Sequence, residues 1–483
     1  MKKVKFFSKK KKQITIIAFL VLLITFTIGI VAVLIKNTEN NETVFSDELP
    51  VIIIDSLNQD INEKVEMEEV KTEGGKKLLF PKSERFESKL YLYENDPHKT
   101  NNFDEFSLKS NIIINTRGQS SLSYPKKQYT VRLVDDNNYT NPQPLLKMPA
   151  HDKWVLNGLY SDKSLIRNYL AYKMGRETME YSPKTRFVEV YLKENKNQKP
   201  EEQYIGVYLL TEKIEKDVNR INISSNRDNY KDTSFIIARD KIKIGDDTFQ
   251  TDWDKLEEDT IFINDDYLRE KSLFTITYPS KRNLTENNTE IIKKTINDFE
   301  YSLYSSKFKD RREGYNKHIH VKSFIDFALI QEITKNIDGG EVSSYLYKDL
   351  GEKIKAGPIW DFDMSLKNTN DKYFNNYAGF SMVDTIWFER LFQDETFAKM
   401  YENQYRMYRR NVFSDNSINM YIDDIILRLS SSAKRNSEKW YPEDSDEVFY
   451  SEVEKVRTFL LKRLAWLDEN ISSVKRITEN YVE

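Results

Sequence analysis

The 483-residue chain has no cysteine, four histidines and only 14 glycines. Without cysteine there are no disulfides, thiol nucleophiles, or cysteine-ligated zinc or iron–sulfur centres. The histidines, His98, His151, His318 and His320, form no HExxH pair, which excludes a zincin protease, and a Ser-His-Asp hydrolase would have to draw on one of them. His318-Ile319-His320 has no ligand close in sequence and reads as structural or exposed. The glycines write neither GxGxxG nor GxxxxGK[ST], so any phosphate site is built some other way. Strong charge of one sign is also missing, since the net charge is −3. That balance hides an asymmetry. Residues 1–36 hold eight lysines and no acid, leaving 66 bases against 77 acids in the rest, which therefore has no global attraction to nucleic acid.

What is present begins with an uncharged, mostly apolar run from Ile14 to Ile35. As a helix rising about 1.5 Å per residue, it would cover the roughly 30 Å hydrocarbon core of a bilayer. Seven lysines precede it, and acids without a base follow Lys36 up to Glu48, so the positive-inside rule puts the N-terminus in the cytoplasm and residues 37–483 outside. A cleaved signal peptide fits less well, because the run exceeds a 7–15-residue core and no A-x-A-like site closes it. The expected organisation is a basic stub (1–13), a transmembrane signal-anchor (14–36), an acidic tether (37–48), a strand-rich region (49–215), a charged connecting region (216–320) and a helical region (321–483).

Val51-Ile52-Ile53-Ile54-Asp55 reads as a buried strand after Pro50, and residues 58–78 as an exposed loop or hairpin. Strand-like runs follow at Asn111 to Asn115 and Gln128 to Val134. Ser161 and Asp162 offer caps for a helix carrying Leu165, Ile166, Tyr169, Leu170 and Met174. Phe187 to Leu192 and Tyr204 to Leu210 are β-branched and aromatic runs across a polar loop and should pair. The stretch 216–270 suggests short strands such as Ser234 to Ala238 but no topology. A buried helix through Phe324, Phe327 and Ile330 leads to Asn336-Ile337-Asp338-Gly339-Gly340. A short hairpin around Asp349-Leu350-Gly351 then delivers Gly357-Pro358-Ile359-Trp360-Asp361-Phe362-Asp363. Val453, Val456, Leu460, Leu464, Leu467 and Ile471 lie on one face of a late helix. The class is α+β, with strands first and helices last.

Three constellations carry possible chemistry. Asp361 and Asp363, beside bulky apolar residues at a strand end, suit Mg²⁺ or Mn²⁺, because hard cations want carboxylate oxygens and keep waters for substrate phosphates. The same acids would also serve to cap a turn. Asp338 is brought near them by the helix and hairpin. The hydroxyl-rich turn after Arg117, through Gly118-Gln119-Ser120-Ser121 to Tyr124-Pro125-Lys126-Lys127, could cradle an anion. Alternation turns one of Lys126 and Lys127 inward without saying which. Glu212 ends the buried strand that contains Gly206-Val207-Tyr208.

Taken in order, these blocks resemble the CotH family of spore coat protein kinases. The matching pieces are Leu49-Pro50-Val51, Arg117-Gly118-x-Ser120 to Lys127, Asp162 to Asn168, Gly206 to Glu212, Asn336 to Gly339, and Gly357-Pro358-x-Trp360-Asp361-Phe362-Asp363. The resemblance implies a protein-kinase-like two-lobed fold and transfer of the γ-phosphoryl of ATP, with Mg²⁺ or Mn²⁺, to Ser or Thr of spore coat or other extracytoplasmic proteins. Asp338 would be the catalytic base and Asp361 the metal-binding acid. Lys126 or Lys127, assisted by Arg117, would contact nucleotide phosphates, and Glu212 would sit near the adenine-side hinge. Phosphoryl transfer is mostly positioning and charge neutralisation, which needs none of the missing residue types. Ser343 stands where kinases carry a second metal-binding asparagine, and Asp363 is the candidate substitute. A metal-dependent glycosyltransferase using Asp361-Phe362-Asp363 as a D-x-D motif, or an inactive coat or surface binding protein, are the alternatives.

Overall fold

The computed structural model describes residues 49–474 except 63–65, 72–76, 83, 96, 101, 227–230, 243–244, 257–269 and 445–446. The apolar run at 14–36 lies outside the described residues. Among those described, no helix is long and apolar enough to cross a membrane.

Strands β1 (Val51–Asp55), β4 (Phe86–Tyr93), β5 (Leu108–Arg117), β6 (Gln128–Val134), β9 (Lys153–Asn157), β10 (Thr185–Lys193) and β11 (Tyr204–Glu212) close into a seven-stranded barrel in the order β1-β10-β11-β9-β6-β5-β4. All pairs are antiparallel except β1 with β10, where Val51 faces Glu189. Residues two apart point inward, as a pleated strand requires. Ile52 and Ile54, Leu90 and Leu92, Ile112 and Ile114, Val131 and Leu133, and Val188, Val190 and Leu192 share one buried core. Two separate hairpins, β2–β3 (Glu66–Lys71, Lys77–Lys82) and β7–β8 (Gln143–Leu145, Met148–His151), fall between these strands in the sequence.

A second, antiparallel sheet runs β13-β14-β12-β15-β16 through Thr248–Gln250, Leu273–Tyr278, Phe235–Arg239, Ser344–Lys348 and Lys355–Ala356. Among the described residues six helices run longer than one turn: α1 (Arg167–Thr178), α2 (Glu286–Leu303), α3 (Val321–Thr334), α4 (Glu395–Arg409), α5 (Asp415–Trp440) and α6 (Val448–Asn470). Every residue of α3 from Phe324 to Thr334 is buried, so it is the central helix of the larger core. Capping stops α2, α4 and α5 from fraying: Thr285, Asp394 and Ser414 accept from the backbone N–H groups of Asn288, Thr396 and Ser417.

Strands dominate the first half and helices the second, as the sequence suggests. Barrel closure is an addition, for it depends on two strands more than 130 positions apart. One expectation needs correcting. The first helix starts at Arg167, with Ile166 as its N-cap and no side-chain cap, so Ser161 and Asp162 do not cap it in the ordinary way. Asp162 is instead fully buried in an ion pair with the Arg167 guanidinium, and its other oxygen accepts the Arg167 backbone N–H at 2.9 Å.

Helix α5 docks on the barrel through a bulge. The β10–β11 register slips at Val190/Tyr191, opposite Ile205–Gly206. Gly206 sits at φ +104, and a Cβ there would lie 2.5 Å from Asn436 Oδ1, so only glycine fits. The exposed backbone groups are taken up by α5: Trp440 Nε1 donates to Ile205 O (3.1 Å), and Val207 N–H donates to Asn436 Oδ1 (3.1 Å).

Candidate active site

Three segments bring the sequence-selected aspartates together. The first follows α3. Lys335 closes the helix in the left-handed region and donates to the carbonyls of Tyr373, Asn376 and Ala378. Asn336 then donates through Nδ2 to Gln331 Oε1 (3.0 Å) and to Asp361 O (3.3 Å). Asp338 O accepts from the N–H groups of Glu341 and Val342, both at 3.0 Å, which fixes the turn that presents the Asp338 side chain.

The second segment carries Trp360 to Asp363. Trp360 and Phe362 are buried against Tyr172 of α1, and between them Asp361 adopts φ +64, an uncommon state for a residue with a Cβ. The surroundings hold that conformation. Asp361 N–H donates to Tyr172 Oη (3.3 Å), Phe362 N–H to Asn168 Oδ1 (2.8 Å), and Leu366 N–H to Thr334 O (2.9 Å). Arg167, pinned by Asp162, donates through Nε to Ser365 O (3.1 Å). Asp363 accepts from Ser161 Oγ at 2.5 Å, and its carbonyl accepts from Asn368 Nδ2 at 2.6 Å.

The third segment is the turn after β5. Arg117 lies over the Trp360 ring at 5.5 Å, and Gln119 Nε2 donates to Lys241 O at 3.0 Å, joining this turn to the end of β12. Tyr124 packs its ring on Tyr160.

These residues share one electrostatic field. Burial pushes the Asp361 carboxyl well above the usual range, and Asp363 and Asp338 push it further while Arg117 opposes them. Asp338 is raised by burial and then by Asp363, with Lys241 opposing. Asp240 adds to the repulsion on both. Burial and the aspartates also raise the Tyr124 and Tyr172 phenols. Among the described residues no three His, Cys, Asp or Glu side chains form a ready-made metal cage. The donor set nonetheless fits a hard cation that binds one or two carboxylates and completes its shell with water and phosphate. Crowded carboxylates opposed mainly by one arginine are what such a cation would relieve.

The other expected residues sit differently. Lys126 is the inward-facing member of its pair, fully buried, with Nζ donating to Val207 O (2.6 Å) and Asn436 Oδ1 (2.7 Å) and lying over Tyr208. Lys127 Nζ donates to Leu122 O at 2.7 Å. Both ammoniums are thus committed to protein carbonyl and amide oxygens, and Arg117 is the cation from this turn whose charge reaches Asp361. Glu212 is buried, accepts from Lys184 N–H (2.9 Å) and Tyr181 Oη (3.2 Å), and ties β11 to the segment before β10. Ser343 is buried at φ +49 in the turn before β15.

Asp240 and Lys241 escaped the sequence reading because no topology was legible around them. The available signal was an acid just past a buried strand, the same pattern that singled out Asp361. Ser161, Asn168 and Tyr172 act through the backbone of the Asp361 loop, and only the fold reveals that.

A comparison with curated proteins finds no match. The family model described as CotH kinase protein matches residues 114–467, spanning β5 to α6 and every aspartate of the site. The chain therefore belongs to the CotH kinase protein family.

Proposed function

We propose that this chain is an atypical protein kinase that transfers the γ-phosphoryl group of ATP to serine or threonine hydroxyls of extracytoplasmic proteins, in the spore coat or envelope. The observation that carries this reading is the convergence of Asp338, Asp361 and Asp363 from separate segments into one field with Arg117. In the reaction the acceptor oxygen forms a bond to the γ-phosphorus, the bond from that phosphorus to the β–γ bridging oxygen breaks, and ADP leaves. Asp338 accepts the hydroxyl proton, a task its raised proton affinity suits. Asp361 and Asp363 would hold Mg²⁺ or Mn²⁺, which when bound neutralises phosphate charge. Arg117 supplies a fixed positive charge beside Asp361. On this reading the barrel half and the helical half correspond to the two lobes of a protein-kinase-like fold, and the run at 14–36 anchors the enzyme with its catalytic region outside the membrane.

The test is incubation of the full-length chain with γ-labelled ATP and Mn²⁺. Label should appear on the chain itself or on a serine-rich protein, and Asp361→Ala should abolish it. Consumption of a nucleotide sugar in place of ATP would replace this reading with a D-x-D glycosyltransferase. Failure to bind either nucleotide would leave a binding protein.

A further inference from the structure

Helix α1 serves two places in the molecule. Its first turn holds the Asp361 loop through Arg167 and Asn168, while its last turn carries Arg176, eight residues on from Asn168 and so about 12 Å along the axis. Around Arg176 lies a half-open cavity of about 440 Å³ that Lys184 and Arg220 also line. It is contiguous with a second cavity of about 320 Å³, the two sharing Met179, Glu180, Tyr181 and Tyr347.

The three cations share one nearby counter-charge, the buried Glu212 carboxylate, and none of them pairs with it directly. The buried Arg167 and Arg463 are paired with Asp162 and Glu332. Arg176, Lys184 and Arg220, by contrast, form no ion pair with any carboxylate among the described residues. Arg176 Nη1 donates to Pro183 O (2.6 Å), and Arg220 donates to Lys213 O (2.7 Å) and Lys153 O (2.8 Å), which uses hydrogens without giving each charge its own carboxylate, and the buried Glu212, whose field reaches all three cations, leaves them in excess. Acids nearby are already engaged. Glu180 pairs with Lys355 at 2.6 Å, Glu177 with Lys173 at 2.9 Å, and buried Glu212 accepts from Tyr181 and the Lys184 backbone. Burial further disfavours the Arg176 charge, so an incoming anion would be welcome there.

We propose that this groove docks an anionic stretch of polypeptide from a protein partner, one carrying phosphoserines or consecutive Asp and Glu. Clustered arginine and lysine are the general means of reading such segments. The volume argues against a lone small ion, because at about 30 Å³ per water the larger cavity alone has room for about fifteen waters. The neighbouring cavity sets Met179, Tyr181 and Tyr347 at the junction beside Glu180, Asp326 and Lys322, so it suits the uncharged or mixed flank of a peptide and not its anionic stretch. This site stands apart from the phosphotransfer reading, since peptide binding is measured without ATP.

The experiment is fluorescence anisotropy on the full-length chain with three labelled nine-residue peptides of one sequence, bearing two phosphoserines, two aspartates or two serines. The phosphoserine or aspartate peptide should bind saturably and weaken with added salt, and the serine peptide should not. A preference between the two anionic peptides identifies which anion the partner carries. Lys184→Glu should weaken anionic binding at least tenfold, and Lys184→Gln less. The Lys184 ammonium makes no direct ion pair but favours the ionised form of buried Glu212, so Lys184→Gln, which adds no like charge, should keep the melting temperature, and Lys184→Glu binding is read below that variant's own melting temperature. Equal binding of the serine peptide, indifference to Lys184→Glu, absence of saturable binding by any peptide, or displacement by inorganic phosphate at concentrations equal to the peptide's would each overturn the proposal.

Discussion

Lys126 offers the sharpest separation of a structural from a nucleotide-binding role. Its ammonium bridges the carbonyl of Val207 and the amide oxygen of Asn436, joining β11 to α5, with Asn436 lying 310 positions from Lys126 in sequence. Replacing it with methionine keeps the length and removes both hydrogen bonds. Bonds involving a charged group contribute about 1.5–3 kcal/mol each. Against that stands the desolvation of an ammonium, which already pulls the Lys126 pKa well below its ordinary value. Offsetting one with the other leaves an expected loss of about 2–4 kcal/mol. In a chain of this size each kcal/mol moves the melting temperature by about 1–2 °C, so Lys126→Met should melt several degrees lower. Asn436→Leu should also destabilise. The double variant should lose about 1–2 kcal/mol less than the sum of the singles, because both remove the same bond. The Michaelis constant for ATP should stay within about threefold of the parent. An unchanged melting temperature with a tenfold higher Michaelis constant would refute the reasoning and put the ammonium at the phosphates.

Two further predictions follow from the carboxylates. Asp338→Asn should leave metal and ATP affinity intact while turnover falls by a factor of at least about 10², as loss of a general base does; lost binding in a calorimetric titration would move Asp338 into the metal shell. Glu389 is buried, accepts from Tyr304 Oη at 2.7 Å through one oxygen, leaves the other without a partner, and is raised to about 7. A folded-state pKa above the unfolded value of about 4.3 favours the protonated form, so this contribution is complete below about pH 4 and is lost as pH rises through 7, amounting to about 4 kcal/mol. Scanning calorimetry between pH 5 and pH 8 should show Glu389→Gln with a flatter stability profile than the parent, and parallel profiles would rule this out.

Much of the fold was legible where neighbours in sequence are neighbours in space. Strands β10 and β11 are aromatic and β-branched runs on either side of a polar loop, and they pair as that pattern implies. The late helix shows its buried face at Val453, Val456, Leu460, Leu464 and Leu467. Asp361 and Asp363 drew attention because acids beside bulky apolar residues conflict with burial unless they have a task, and Asp338 because a helix and a hairpin carry it toward them. What stayed hidden depends on distant partners. The β1–β10 pairing leaves no local trace, and neither does the side to which Lys126 turns. Asp162 looked like a cap because caps and buried ion pairs use the same residue type. Only the position of Arg167 relative to the Asp361 loop separates them.

That loop also bears on the proposed role of the aspartates, because their arrangement does not favour stability. Arg167 with Asp162 and, at 3.8 Å, Glu452, and Arg463 with Glu332 are buried cations matched by carboxylates, and each holds backbone in place. Asp361 is treated in the opposite way. Its backbone is kept at positive φ by hydrogen bonds from both sides, while its carboxyl is buried beside Asp363 and Asp338 with Arg117 as the opposing charge. A fold selected for stability alone would relax the φ with glycine and replace at least one acid, because strain of this kind costs about 1–3 kcal/mol and like charges add to it. The clamps from Tyr172, Asn168 and Asn336 instead hold the unfavourable arrangement in place. Strain and repulsion maintained by well-satisfied surroundings are what the proposed function requires of a site that is to receive a cation and a phosphate.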